Sequence, residues 1–159
     1  MEVKDILKPG SIRCASHIRS KKHALDVLSQ MLAEAAGGPS PIEVMNGLVG
    51  RERLGSTGLG KAVAMPHTRV SGLKEKVAAL LKLDEPVDFG SPDGQPVDLL
   101  FGLLVPENSA SRELSEVDTL VRTLRDPELQ RELRSSSDPT VLYKLVAKRA
   151  LPERCGPAA

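Results

Sequence analysis

Tryptophan is absent, and the whole aromatic content is Phe89, Phe101 and Tyr143. Proteins that grip single-stranded nucleic acid stack bases on aromatic rings, so three rings in 159 residues argue against that class. An excess of one charge is missing too: 22 basic residues face 21 acidic ones, interspersed along the chain, and no basic stripe offers itself to a phosphate backbone. Nucleic acid is therefore not an expected partner. Only two cysteines occur, Cys14 and Cys155, without a CxxC or metal-ligand spacing, which points to reduced thiols rather than a disulfide framework. His17 and His23 have no third ligand beside them, and no metal and no cofactor are expected. Long apolar runs are lacking as well. The longest, Leu99 to Val105, contains a glycine and is far too short to span a bilayer, and the first ten residues carry acidic groups instead of an apolar leader core. The expected protein is soluble and cytoplasmic, with no membrane insertion.

What is present suits one ordinary domain, since 40% apolar residues can supply a core without disulfides or metals. A single domain is expected over residues 1–150, with a flexible tail over 151–159. Ser20 caps a run in which Ala24, Leu25, Leu28, Met31 and Leu32 recur at helical spacing until Gly37-Gly38-Pro39. Ser40-Pro41 starts a second helix that should end near Arg53. Ala62 to Met65 leans towards a short strand, and Val77 to Leu83 and Val97 to Val105 resemble strands buried on both faces. Leu114, Val117, Leu120, Val121 and Leu124 mark a helix, and Asp126-Pro127 and Asp138-Pro139 start two shorter ones. The order helix, helix, strand, strand, strand, helix, helix predicts an α/β sandwich.

Chemistry concentrates in one stretch, Arg51-Glu-Arg-Leu-Gly-Ser-Thr-Gly-Leu-Gly-Lys-Ala-Val-Ala-Met-Pro-His-Thr-Arg69. Glycines let backbone N–H groups approach an anion, hydroxyls donate to it, and arginine matches phosphate oxygens with a planar fork. Gly55-x4-Gly60-Lys61 fits most of a P-loop, but Ala62 stands where the magnesium-binding hydroxyl belongs, and the loop follows a helix and opens a strand, the reverse of the P-loop context. His67 offers a different mechanism: a neutral imidazole nitrogen can accept a phosphoryl group from another phosphohistidine.

The pattern R-E-x-x-G-S-T-G-x-G-x-x-x-A-x-P-H resembles the active-site stretch of type-2 IIA domains of the bacterial sugar phosphotransferase system, the mannitol, fructose and nitrogen-regulatory branch. The likeness extends to Ser20-Lys-Lys-x-Ala-Leu, to Pro86-Val-Asp-Phe and to Asp93-Gly-Gln-Pro-Val-Asp-Leu-Leu-Phe-Gly-Leu-Leu-Val-Pro106, covering about residues 5 to 147, and the Gln-Pro-Val-Asp-Leu-Leu-Phe string is most similar to the nitrogen-regulatory branch. The resemblance implies a mixed sheet flanked by helices on both faces and a relay in which a small HPr-like phosphocarrier charges His67. It also implies that Arg51 stabilises the phosphate, that Ser56 and Thr57 supply hydroxyls, and that the phosphorylation state controls regulatory targets such as potassium transport components or sensor kinases.

Two positions depart from the family pattern. Thr68 replaces the glycine that usually follows the histidine, and Glu113 stands where an ungapped count places the family's second histidine. A carboxylate about 4 Å from a bound phosphoryl would oppose it by about 4 kcal/mol at an effective dielectric near 20, the same order by which Arg51 would favour it. It could equally orient the neutral ring. Plainer roles stay open: His67 as a strand-end histidine bonded to backbone, Arg51 as a helix C-terminal cation, Ser56 and Thr57 as turn hydroxyls, and Glu113, Lys61 and Arg69 as solvated charges. The alternative function is a degenerate IIA-like binding module that acts through protein or ligand contacts without being phosphorylated.

Overall fold

A computed structural model describes residues 3–108, 111–147 and 149, with 111–117 described by their backbone only. A 3-10 turn at Val3–Asp5 leads into strand β1 (Leu7–Ala15), helices α1 (Lys21–Ala36) and α2 (Pro41–Leu54), and short strands β2 (Gly58–Gly60), β3 (Val63–Ala64) and β4 (His67–Val70). The long strands β5 (Val77–Val87) and β6 (Val97–Pro106) follow, then α3 (Ser111–Leu124), α4 (Pro127–Arg134) and α5 (Pro139–Ala147).

The helix starts obey the chemistry read from the sequence. Ser20 and Ser40 accept from the backbone N–H groups of His23 and Glu43, satisfying donors that the first turn leaves unpaired, and Asp126 does the same for Glu128. Gly37 closes α1 in the left-handed conformation.

The sheet is mixed, in the order β1-β5-β6-β3-β2, with β4 also paired to β6. β1 runs parallel to β5, β5 antiparallel to β6, and β3 and β4 each run parallel to β6. Alternation along β6 divides two cores: Leu99, Phe101, Leu103 and Val105 pack with residues of α3, α4 and α5, while Leu100 and Leu104 face Leu28, Leu32 and Leu48 of α1 and α2. The result is the expected mixed sheet covered by helices on both faces. Both β5 and β6 are buried along most of their length, as continuous apolar runs require.

Three strands were not in the expected order: β1, β2 and β4. β1 lies at the sheet edge and contains Pro9-Gly10, which the irregular register between Leu7 and Ile12 accommodates, as is usual for proline in a strand. β5 passes through Pro86, which the sequence suggested as a boundary. Its ladder to β6 shifts register between Lys82 and Val87, so the missing N–H falls in the irregular stretch.

Cys14 is a free thiol, pushed above its ordinary range chiefly by burial, with the Lys82 ammonium pulling the other way. The Lys82 ammonium donates to the carbonyls of Leu133, Arg134 and Ser136, where the end of α4 leaves acceptors unpaired. Among the described residues no helix is long and apolar enough to cross a membrane, and no cluster of metal-ligating side chains occurs. Cys155 and the expected tail 151–159 lie outside the described residues.

Candidate functional site

β3 and β4 are two halves of one broken edge along β6. Val63 and Ala64 pair with Leu99 and Leu100, His67 to Val70 pair with Leu103 to Pro106, and Met65-Pro66 bridges the gap. The Pro66 carbonyl accepts from Leu103 N–H at 3.0 Å, so the backbone immediately before His67 is fixed to the most buried strand. Met65 and Pro66 are buried, whereas His67 is only half-buried.

His67 Nδ1 lies 2.9 Å from the Met65 carbonyl oxygen. A carbonyl only accepts, so Nδ1 carries the proton of the neutral ring and Nε2 carries the lone pair. The imidazole lines an open cleft of about 600 Å³ together with Gly47, Gly50, Arg51 and Leu54 of α2, Thr68 and Arg69 of β4, Val105 of β6 and Asp118 of α3. Two guanidinium groups thus share the cleft with the ring. Both rest on neutral backbone acceptors: Arg51 donates to the Gly55 carbonyl at 2.8 Å and Arg69 to the Glu107 carbonyl at 3.2 Å. An incoming dianion would offer each a stronger, charge-assisted acceptor.

Ser56 and Thr57 are not among the residues lining this cleft. Ser56 Oγ donates to the Phe89 carbonyl at 2.9 Å and accepts from Gly58 N–H, while Thr57 donates through both its backbone N–H and its hydroxyl to Glu52. Glu52 in turn pairs with the Lys21 ammonium at 2.8 Å, and that ammonium also donates to Phe89 O and lies over the Phe89 ring. Here the Ser56 hydroxyl fastens the glycine loop to the start of the β5–β6 connection, and the Thr57 hydroxyl fastens it to the last turn of α2. Gly58 lies against Ser91, and a Cβ there would collide with the Ser91 hydroxyl.

The P-loop-like Gly60-Lys61 is a hairpin turn. Lys61 and Ala62 both adopt left-handed φ values, 56° and 66°, the geometry of a two-residue turn between antiparallel strands. That conformation is unfavourable for side chains with a Cβ, and polar contacts hold it: Lys61 N–H donates to Asp93, and Arg134 donates to the Lys61 and Ala62 carbonyls while forking onto Asp98. Lys61 is therefore separate from the cleft, whereas Arg69 belongs to it.

Thr68 does not occupy a positive φ. It packs instead against Gly47, where a Cβ would meet Thr68 Oγ1 at 2.6 Å. Glu113 falls in the first turn of α3, and its side chain lies outside the described residues. Among the described residues the carboxylate that lines the cleft is Asp118, which no motif in the sequence marks. Nor does any motif mark Gly50. Glycine inside a helix costs roughly 1 kcal/mol relative to alanine, and a Cβ at Gly50 meets nothing within 4 Å. The signal was legible, since Gly47 and Gly50 stand three apart inside an otherwise helical pattern and share one face.

Residues 5–149 match the family model described as "Phosphoenolpyruvate-dependent sugar phosphotransferase system, EIIA 2". The chain is 38% identical over 147 residues to a nitrogen regulatory protein of Bradyrhizobium diazoefficiens, covering 92% of this chain and 95% of that relative. It is 37% identical over 146 residues to a nitrogen regulatory protein of Pseudomonas aeruginosa, with the same coverage. The crystal structure of the nitrogen regulatory protein IIA-Ntr from Neisseria meningitidis superimposes with a TM-score of 0.81 at 34% identity, covering 91% of this chain and 98% of that one. The mannitol IIA structure from Escherichia coli, at 21% identity and a TM-score of 0.70, covers 87% of this chain and 96% of its own and shares the fold.

Proposed function

This chain belongs to the EIIA 2 family of the phosphoenolpyruvate-dependent sugar phosphotransferase system, and from that premise we propose that it is a cytoplasmic phosphohistidine carrier with a nitrogen-regulatory output, accepting its phosphoryl group on His67. The observation that carries this reading is the half-buried His67 ring, tethered through Nδ1 to the Met65 carbonyl, with Nε2 left in a cleft that also holds two guanidinium groups.

In the proposed step, the Nε2 lone pair of His67 forms a bond to phosphorus while the P–N bond of a phosphohistidine on an HPr-like carrier breaks. The carrier's nitrogen keeps the electron pair of the broken bond. His67 retains its Nδ1 proton, and the Met65 carbonyl steadies the positive charge that the ring gains. Arg51 and Arg69 exchange backbone carbonyls for phosphoryl oxygens, so the charge on the transferring group is met by groups already in place. Ser56 and Thr57 act by holding the loop to which Arg51 is anchored. Glu113 takes the place of the family's second histidine as an accessory carboxylate.

Charging adds close to two negative charges to one surface, and targets of the potassium-transport or sensor-kinase type then distinguish the two states. The name of the Bradyrhizobium relative supports the regulatory half of the proposal. Incubation with phosphoenolpyruvate, the upstream relay enzyme and an HPr-like carrier should add one phosphoryl mass to the wild type and none to His67→Ala. Failure of the wild type to gain mass under conditions that charge a control IIA domain overturns the assignment.

A second reading, a binding module that is never phosphorylated, draws on Thr68 next to His67 and on Glu113 at the family's second histidine position. It requires the wild type to stay uncharged and Glu113→His to switch acceptor activity on. Charging of the wild type at the rate of a control domain removes it.

A further inference from the structure

We infer that Glu52 is a positioning residue for phosphoryl acceptance: its buried carboxylate, paired with Lys21, anchors a chain of hydrogen bonds through Thr57 and Met65 that keeps the His67 ring protonated on Nδ1 and its lone pair on Nε2. The role rests on His67 being the acceptor and adds what keeps that ring ready.

Arg51 and Glu52 are neighbours in the last turn of α2, yet they serve different places. Arg51 lines the cleft, whereas Glu52 is not among the lining residues, and its side chain is only 6% exposed. A carboxylate so covered costs free energy unless opposite charge and hydrogen-bond donors surround it. Glu52 has both. Lys21 Nζ lies 2.8 Å from one oxygen, the Thr57 backbone N–H donates to both oxygens at 3.2 Å, and the Thr57 hydroxyl donates as well. Lys21 is itself fixed, since the same ammonium donates to the Phe89 carbonyl and sits 4.6 Å from the centre of the Phe89 ring.

The contacts continue beyond Thr57 to the imidazole. The Thr57 carbonyl accepts from Met65 N–H at 3.0 Å, and the Met65 carbonyl accepts from His67 Nδ1 at 2.9 Å. Thr57 and Met65 are both buried, so water does not stand in for either bond. Which nitrogen of a neutral histidine keeps the proton is set by the hydrogen bond that the other groups offer it, here the Met65 carbonyl. With that carbonyl displaced, the proton is free to move to Nε2, and a ring protonated there has no lone pair at Nε2 to give to phosphorus. A charged bracket suits this task, because charge-assisted hydrogen bonds are shorter and stronger than neutral ones.

Full-length wild type, Glu52→Gln and Lys21→Met are charged by a phosphorylated HPr-like carrier in single-turnover reactions read by intact mass, and the His67 tautomer of each uncharged protein is read by nitrogen NMR of the imidazole. Glu52→Gln keeps the shape and one acceptor but loses the charge. It should lower the maximal charging rate about tenfold, as small misplacements of a reacting group do, and leave the half-saturating carrier concentration within about twofold of wild type. It should also bring up an Nε2–H tautomer beside the Nδ1–H form of wild type. Lys21→Met, which leaves Glu52 bonded to Thr57, should change the same two readouts to a smaller extent. A folded Glu52→Gln protein with the wild-type maximal rate and a single tautomer overturns the role, and so does a rise in the half-saturating concentration alone, which marks a docking defect. Slower charging with the tautomer unchanged overturns it too, because the link through Met65 then carries nothing. Should Glu52→Gln not fold, Lys21→Met decides by the same criteria, and loss of folding in both makes the pair a requirement of the fold and overturns the positioning role. If wild type itself is not charged, the acceptor assignment falls and this role with it, a result told apart from the others by the wild-type arm alone.

Discussion

Thr68 on β4 occupies the space that a side chain at Gly47 on α2 would need, with the missing Cβ only 2.6 Å from Thr68 Oγ1. The threonine that replaces the family's usual glycine is thus matched by a glycine on the facing helix. Gly47→Ala should lower stability by about 1–2 kcal/mol in denaturant unfolding, the range for overpacking after allowing for alanine's better helix propensity. Combined with Thr68→Gly the cost of Gly47→Ala should vanish, and additive effects of the two changes would refute the pairing.

Arg51 reaches the cleft from the last turn of α2 and is held there by the Gly55 carbonyl. Arg51→Ala should slow charging of His67 roughly 100-fold, the loss typical of removing one preorganised charge-stabilising group. Arg51→Lys should recover only part, since an ammonium cannot fork across two phosphoryl oxygens. Stopped reactions read by intact mass give both rates, and a full-rate Arg51→Ala variant would strike it from the site.

Asp118 works in the opposite sense. It is exposed, so its repulsion of a bound phosphoryl is that of charges in near-aqueous surroundings, about 1 kcal/mol at 4 Å. Asp118→Asn should shift the charging equilibrium towards phospho-His67 by roughly two- to fivefold, and high salt should shrink the difference. Titrating the carrier's phosphoryl potential against each protein measures the shift, and identical curves would show that the carboxylate does not sense the phosphoryl group.

Asp93 is held below its ordinary value of 3.8 first by the Lys61 N–H and then by the Gln95 N–H. A folded pKa below the unfolded one contributes stability that is complete above the unfolded value and disappears as pH falls through the folded value. The melting temperature should therefore decline as pH drops below 3.8, and Asp93→Asn, which keeps an acceptor for Lys61 N–H but does not titrate, should show a shallower decline. Parallel pH profiles for the two proteins would remove Asp93 from the turn's stability.

Much of this architecture was legible in the sequence because it follows from local chemistry. Ser20, Ser40-Pro41 and Asp126-Pro127 mark helix starts whatever packs against them, and the runs in β5 and β6 are too apolar to lie anywhere except the middle of a covered sheet. β4 was not legible, since His67-Thr-Arg-Val70 has no apolar alternation and becomes a strand only because β6 offers it an edge. β1 was hidden by Pro9-Gly10, a pair that breaks most strands and is tolerated at an edge with an irregular register. At the site, Arg51 and His67 could be placed by motif, but the cleft draws Asp118 from α3, far along the chain from both, and no spacing rule joins them. Ser56 and Thr57 share a motif with His67, yet their hydroxyls face Phe89 and Glu52, because motif proximity says nothing about which way a loop side chain turns.

The break between β3 and β4 leaves the imidazole at the first position of β4, paired along the buried β6, with one nitrogen tied to backbone two residues earlier. A ring so mounted has little travel, so with His67 as the proposed acceptor, charged and uncharged forms of the protein should keep nearly the same outline. Whatever discriminates between them must then read an electric signature at a fixed address, the swap of an aromatic edge for a dianion.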